Sequence, residues 1–213
     1  MVVGVEMFSR PYQPVLDTWS KGLMDEDAFI KRTHWYANWR YDYALYREIF
    51  AFTQDNRIRL IALNIPFHLP PKIAIGGIDS LLEEDRTYLP EKIDTTIVAH
   101  REYVHKVFQN HRIRGREDFD HFYAAQCVWE DTMAETIAGL HEPSKIVVLA
   151  GNGHIYQKFG IPQRAFNRTG DAYRTIYPVA TDGDPQLTDA DYLWITPKPE
   201  RRQFHRFSRP PSR

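Results

Sequence analysis

The chain has one cysteine, Cys127, in 213 residues. This excludes an intramolecular disulfide, an all-cysteine zinc or iron–sulfur centre and a Cys-x-x-Cys-His haem attachment, and it leaves the redox compartment open. An excess of either charge is also lacking, with 27 basic residues against 28 acidic ones. No whole-molecule field gathers a polyanion, so neither nucleic acid nor an anionic membrane is an expected partner. Long hydrophobic runs are missing too. No stretch approaches the ~20 apolar residues of a membrane-spanning helix, and Met1 to Phe8 has neither the basic flank nor the small-residue cleavage site of a secretory signal.

What is present is enough to fold. Apolar residues make up 43% of the chain and aromatics 14%, which separates it from disordered and collagen-like compositions. The length suits one domain, here expected over residues 1–197. From 198 to 213 the composition turns basic and proline-bearing, and a mobile tail is expected there.

Short runs rich in Val, Ile and Leu, at Val2 to Phe8, Ile58 to Ile65 and Lys145 to Ala150, read as strands covered on both faces. The aromatic stretch Asp25 to Gln54 suits helical crossovers. Further helices are expected from Asp94 to Asn110 and from Glu117 to Leu140. This alternation predicts an α/β fold with a mainly parallel central sheet flanked by helices. Two late runs, Thr175 to Ala180 and Tyr192 to Thr196, are expected as edge strands.

The strand endings carry the functional signal. The first run stops at Glu6, the second at Asn64, and the third runs into Gly151-Asn-Gly-His154. If the strands are parallel, these polar groups share the carboxyl edge, where ligands of open α/β sheets bind. Taken alone, each is equally the polar start of a turn. His154 can be a metal or haem ligand, a general base or a hydrogen-bonded turn residue. On the helix from Glu117, spacing places Gln126 and Glu130 in the apolar stripe of Phe119, Phe122, Tyr123, Met133, Ile137 and Leu140. A buried carboxylate needs a partner, whether a cation, an arginine or the site itself; a small helix rotation would instead expose both. From Trp35 to Tyr46, six of twelve residues are aromatic. Such density fits a core wall, a homodimer face or a flat apolar ligand. Tyr36, Tyr156 and His154 are the candidate axial ligands should that ligand be haem.

Together, Glu6-Met-Phe8 with Gln13, Ala62-Leu-Asn-Ile-Pro66, Ala125-Gln-Cys-Val-Trp-Glu-Asp-Thr-Met-Ala134 and Leu149-Ala-Gly-Asn-Gly-His154, leading to Gly160-Ile-Pro162 and Arg164, resemble the ChaN-like haem-binding family of the Tiki/TraB/erythromycin-esterase superfamily. The resemblance runs from residue 2 to about 168. It implies haem binding linked to iron acquisition in some members and metal-dependent hydrolysis in distant relatives. It also places Glu6, Asn64, Gln126, Glu130 and His154 at the family's polar positions. Relatives open with an earlier strand ending in Gly-Glu-x-His. Its absence here implies a chain that begins late, with any upstream secretion or lipoprotein signal lost; a cytoplasmic location is the default without it. The expectation is a haem- or porphyrin-binding protein. The alternative is a hydrolase in which Glu6 and His154 hold a divalent metal or activate water.

Overall fold

The computed structural model describes residues 1–110, 117–140 and 145–198. Its strands are β1 (Val2–Ser9), β2 (Arg59–Asn64), β3 (Ile146–Leu149), β4 (Ile176–Ala180) and β5 (Tyr192–Thr196). The first three form one sheet in the order β2-β1-β3, all parallel. In register, Val2 faces Arg59 and Ile146, and Val5 faces Ala62 and Leu149. β1 therefore lies in the middle, and its residues from Val3 to Ser9 are all buried. A strand covered on both faces has no polar side to alternate with, which is why the run is continuously apolar until Glu6.

The two late strands differ from expectation. β4 and β5 pair with each other as a separate two-stranded parallel sheet rather than extending the central one. Anchors within β4 and just before β5 explain this. Asn152 Nδ2 donates to the Pro178 carbonyl at 2.8 Å, Lys158 Nζ meets Asp191 Oδ1 at 2.8 Å, and the Gln157 amide donates to the Asp189 carbonyl. The pair is thus tied to the loop after β3 and not to a strand of the central sheet.

Nine α-helices pack around the sheets: α1 (Gln13–Ser20), α2 (Glu26–Arg32), α3 (Trp35–Asn38), α4 (Arg47–Asp55), α5 (Leu69–Gly76), α6 (Glu83–Arg86), α7 (Val98–Asn110), α8 (Phe119–Ala138) and α9 (Ile161–Thr169), this count being of the described residues. The aromatic stretch is broken into short pieces because His34 takes a left-handed conformation, φ 50°, between α2 and α3. α8 starts at an Asp118 cap that accepts from the His121 amide. It is buried on more than one side, lying against α5, α7, α9 and β2.

One face of the sheet rests on an aromatic core. Phe8 packs against Phe29, Trp35 and Phe50 with ring centroids 5.6–5.8 Å apart, and Trp35 meets Tyr43 edge-on at 5.3 Å. The other face meets α8 and α9 through Ile61, Leu63, Met133 and Ile161. The expected tail lies, apart from Lys198, outside the described residues.

Candidate functional site

The parallel strands deliver Glu6, Asn64 and the Gly151–His154 turn to one edge. Asn64 is buried and closes that edge: its Nδ2 donates to the Glu6 carbonyl and its Oδ1 accepts from the Ile65 amide, each at 2.8 Å. Glu6 Oε2 accepts from the Gly151 amide at 2.5 Å, while Oε1 faces His154 Nε2 at 3.4 Å. On the opposite side of the ring, His154 Nδ1 lies 3.2 Å from Glu130 Oε1. The imidazole is clamped between two carboxylates, with Trp129 packed edge-on against it at 5.0 Å.

The partner that Glu130 requires is therefore His154 together with an arginine. Its side chain is 0% exposed, and Arg164 Nε donates to Oε2 at 3.2 Å. Arg164 is itself 1% exposed and reaches Asp131 Oδ2, the Asp94 carbonyl and Cys127 Sγ. Arg168 adds a second contact to Asp131 at 2.8 Å. His100 Nε2 stands 3.1 Å from Glu130 Oε2, at a poor angle for a hydrogen bond. Gln126 Nε2 donates to Glu130 Oε1 at 2.7 Å. Gly160, just before α9, makes the approach possible, since a Cβ there would stand 2.4 Å from the His154 carbonyl oxygen and 2.8 Å from Glu130 Oε1.

Burial alone would favour neutral groups, but the pairing overrides it. For Glu6, the charge and hydrogen bond of His154 and the Gly151 amide outweigh desolvation and hold the carboxyl below its usual range. Burial likewise pushes Glu130 upward, and the close approach of His100 and His154 overcomes it, leaving the carboxyl strongly lowered. His154 would be driven down by burial, yet Glu6 and Glu130 push it up to about 10. It is held as an imidazolium, with both ring N–H groups directed at carboxylates. Gln126 Nε2, 3.2 Å from Nδ1, is then a neighbour and not a hydrogen-bond partner of the ring.

Beside this ion network lies a cavity of about 1440 Å³. Glu6, Gln126, Gly151, Gly153 and His154 contribute to it at the carboxyl edge, and Trp39, Tyr41, Tyr46 and Tyr103 stand around them. The aromatic segment is thus divided. Trp35 and Tyr43 are core, Trp39, Tyr41 and Tyr46 line the cavity, and Tyr36 is 57% exposed and does not line it. Tyr156 is also outside the lining but stacks on Tyr103 at 4.5 Å, and its hydroxyl accepts from Gln157 Nε2. Asn64 and Glu130 lie behind the wall. Among the described residues, no group of three or more His, Cys, Asp or Glu side chains is arranged to hold a metal ion. Glu6 and His154 spend their polar atoms on each other and on Gly151 and Glu130, so the residues present do not fit a divalent metal.

Composition and spacing alone do not mark Arg164, His100 or Tyr103 as site residues. His100 does share a stripe with Val104 on α7, and both are buried. Arg164 interrupts the apolar positions of α9 and is buried with Ile161. A charged or ionisable residue inside an apolar helix stripe is the same signal that drew attention to Glu130.

Fold and site define an α/β protein with a closed ion network at the carboxyl edge of its sheet and a large aromatic-walled cavity beside it. The chain belongs to the haem-binding uptake family of the Tiki superfamily, ChaN, whose family model matches residues 1–165. It is similar in fold to a solved structure of ChaN from Campylobacter jejuni, described by its cofacial haem binding, with a TM-score of 0.66 and 18% sequence identity over 90% of this chain and 72% of that one. A comparison with curated protein sequences finds no match.

Proposed function

We propose that this protein binds haem in the cavity at the carboxyl edge of the sheet and serves in haem handling or iron acquisition. The observation that carries the reading is the cavity itself. At about 1440 Å³ it exceeds the roughly 300–1,000 Å³ of most small-ligand pockets, and its walls are mainly apolar and aromatic. The family's description and the haem bound by the Campylobacter protein support the same ligand.

The residues present suit a porphyrin better than a hydrolytic centre. A general base needs a free lone pair, and His154 has none while both nitrogens face carboxylates. For the same reason His154 is a poor axial ligand. The tyrosines lining the cavity are Tyr41, Tyr46, Tyr103 and Tyr173. Tyr46 accepts from Trp39 Nε1 at 3.2 Å, whereas the hydroxyls of Tyr41, Tyr103 and Tyr173 have no hydrogen-bond partner among the described residues, and of these the Tyr103 hydroxyl lies beside Gly153 in the turn at the carboxyl edge. Tyr103 is our leading ligand. Burial pushes its phenol up to about 12, so the phenol is neutral on its own, and haem, if held here, would supply the ferric centre to which the Tyr103 oxygen could donate.

Titration of the purified protein with haemin tests the proposal. A saturable Soret shift at micromolar haemin is expected, and its absence overturns the reading. Tyr103→Phe should change the ferric spectrum; an unchanged spectrum removes Tyr103 as ligand and directs attention to Tyr41.

A further inference from the structure

One wall of the cavity lies beyond the residues that the family model matches, which are 1–165. It is the β4–β5 sheet, and short contacts fix its place at the carboxyl edge. Asn152 Nδ2 donates to the Pro178 carbonyl at 2.8 Å, from the same turn in which Gly153 lies beside the Tyr103 hydroxyl. The Tyr103 ring stacks on Tyr156 at 4.5 Å, and Tyr156 meets Tyr177 edge-on at 6.2 Å. Tyr177 therefore turns toward the loop after β3, and strand alternation turns its neighbours Ile176 and Pro178 to the opposite face. In register, Ile176 faces Tyr192 and Pro178 faces Trp194, so these four side chains share that face. All are exposed, Trp194 by 63%. Ile176, Pro178 and Trp194 line the cavity.

A sheet face turned to water is ordinarily polar, and this one is apolar throughout. It opens on the cavity and is tied to the turn that touches Tyr103, so its occupant is a ligand of the cavity and not a second chain. Trp194 has the largest flat surface among its lining side chains. We infer that Trp194 is a specificity-determining residue whose indole stacks on the face of a flat aromatic ring, with Pro178 and Ile176 as apolar flanks. The inference rests on the haem reading, and on that reading the ring is the porphyrin macrocycle. Stacking between aromatic systems selects for flatness and is indifferent to a central metal. The contact is therefore separable from ligation of iron by Tyr103.

The test measures binding of haemin and of metal-free protoporphyrin IX by the wild type, Trp194→Ala and Trp194→Phe. Trp194→Ala should weaken both porphyrins about tenfold, because the lost contact is with the ring. Trp194→Phe keeps an aromatic face and should recover most of that loss for both. Tyr103→Phe, by contrast, should change haemin binding alone. Leu187→Ala, at a side chain 89% exposed and outside the cavity lining, should leave both affinities at the wild-type level. Unchanged affinity for both porphyrins in Trp194→Ala, or a loss confined to haemin, overturns the stacking role and leaves haem binding standing. A dimer that forms without porphyrin and is dissolved by Trp194→Ala would assign the face to a second copy and overturn it too. Saturable binding of neither porphyrin by the wild type overturns the haem reading itself.

Discussion

Two regions meet at His154 and follow opposite plans. Behind the ring, toward α8 and α9, Glu6, Glu130, Asp131, Arg164 and Arg168 interlock so that each buried charge has an opposite one against it. In front of the ring lies space, bounded by aromatic faces with few polar groups. The most perturbed ionisations belong to the closed side. In many proteins such shifts mark reactive groups; here the donors and acceptors responsible are consumed by one another. On the proposed reading, the network is a positioning device that fixes the floor of the cavity, and recognition belongs to the open side.

Removing a cation from the closed side should do the most damage. Arg164→Met strands Glu130 and Asp131 in the interior, and a loss of about 3–5 kcal/mol is expected in denaturant unfolding. A loss under about 1 kcal/mol would show the network to be hydrated and break the contrast. Gly160→Ala should cost about 1–3 kcal/mol by overpacking against the His154 carbonyl and Glu130; a neutral result would mean that α9 can withdraw freely.

Stability against pH sharpens the same comparison. The raised His154 contributes fully below its ordinary value of 6.5, and that contribution is lost as pH rises through about 10. The lowered Glu6 and Glu130 contribute above their ordinary 4.5 and lose their contribution as pH falls through their folded values. The melting temperature should therefore be highest between these ordinary values and decline on both sides, by roughly 2–4 °C for each kcal/mol lost. His154→Gln should flatten the alkaline limb, and a limb that persists would assign the decline to other groups.

On the open side, Tyr103→Phe removes a hydroxyl with no partner among the described residues, so stability should stay within about 0.5 kcal/mol while the haemin spectrum changes. The smallest effect concerns Cys127, whose thiol is buried and pushed up to about 12. A thiol-specific reagent should label it only at the rate of unfolding, and rapid labelling of the native protein would mean that the closed side opens locally.

Much of this organisation is legible in the sequence. Glu6, Asn64 and His154 end apolar runs, and such runs occur in parallel strands because both faces are covered. Once the strands are parallel, their ends must share an edge. Glu130 is legible as an acid in an apolar stripe, although the stripe does not say which cation answers it. Arg164 is 34 residues away, and only the packing of α9 across α8 brings it there. The pairing of β4 with β5 is hidden for a related reason: apolar runs such as Ile176–Ala180 and Tyr192–Thr196 are compatible with any parallel neighbour, and the choice is made by anchors such as Asn152 and Lys158. Tyr103 gave no signal because a tyrosine in an amphipathic helix looks the same whether it faces a core or a cavity.

β3 pairs with β1 on one side, and among the described residues no strand pairs with its other edge. The residues of β3 border the cavity, and Val147 is 45% exposed. A bare row of amides and carbonyls is a template for mispairing between molecules. A flat guest lying along it acts as a stopper, so the empty protein should clump more readily than the filled one. On the haem reading, occupancy of the cavity and colloidal behaviour are thereby coupled through a single strand.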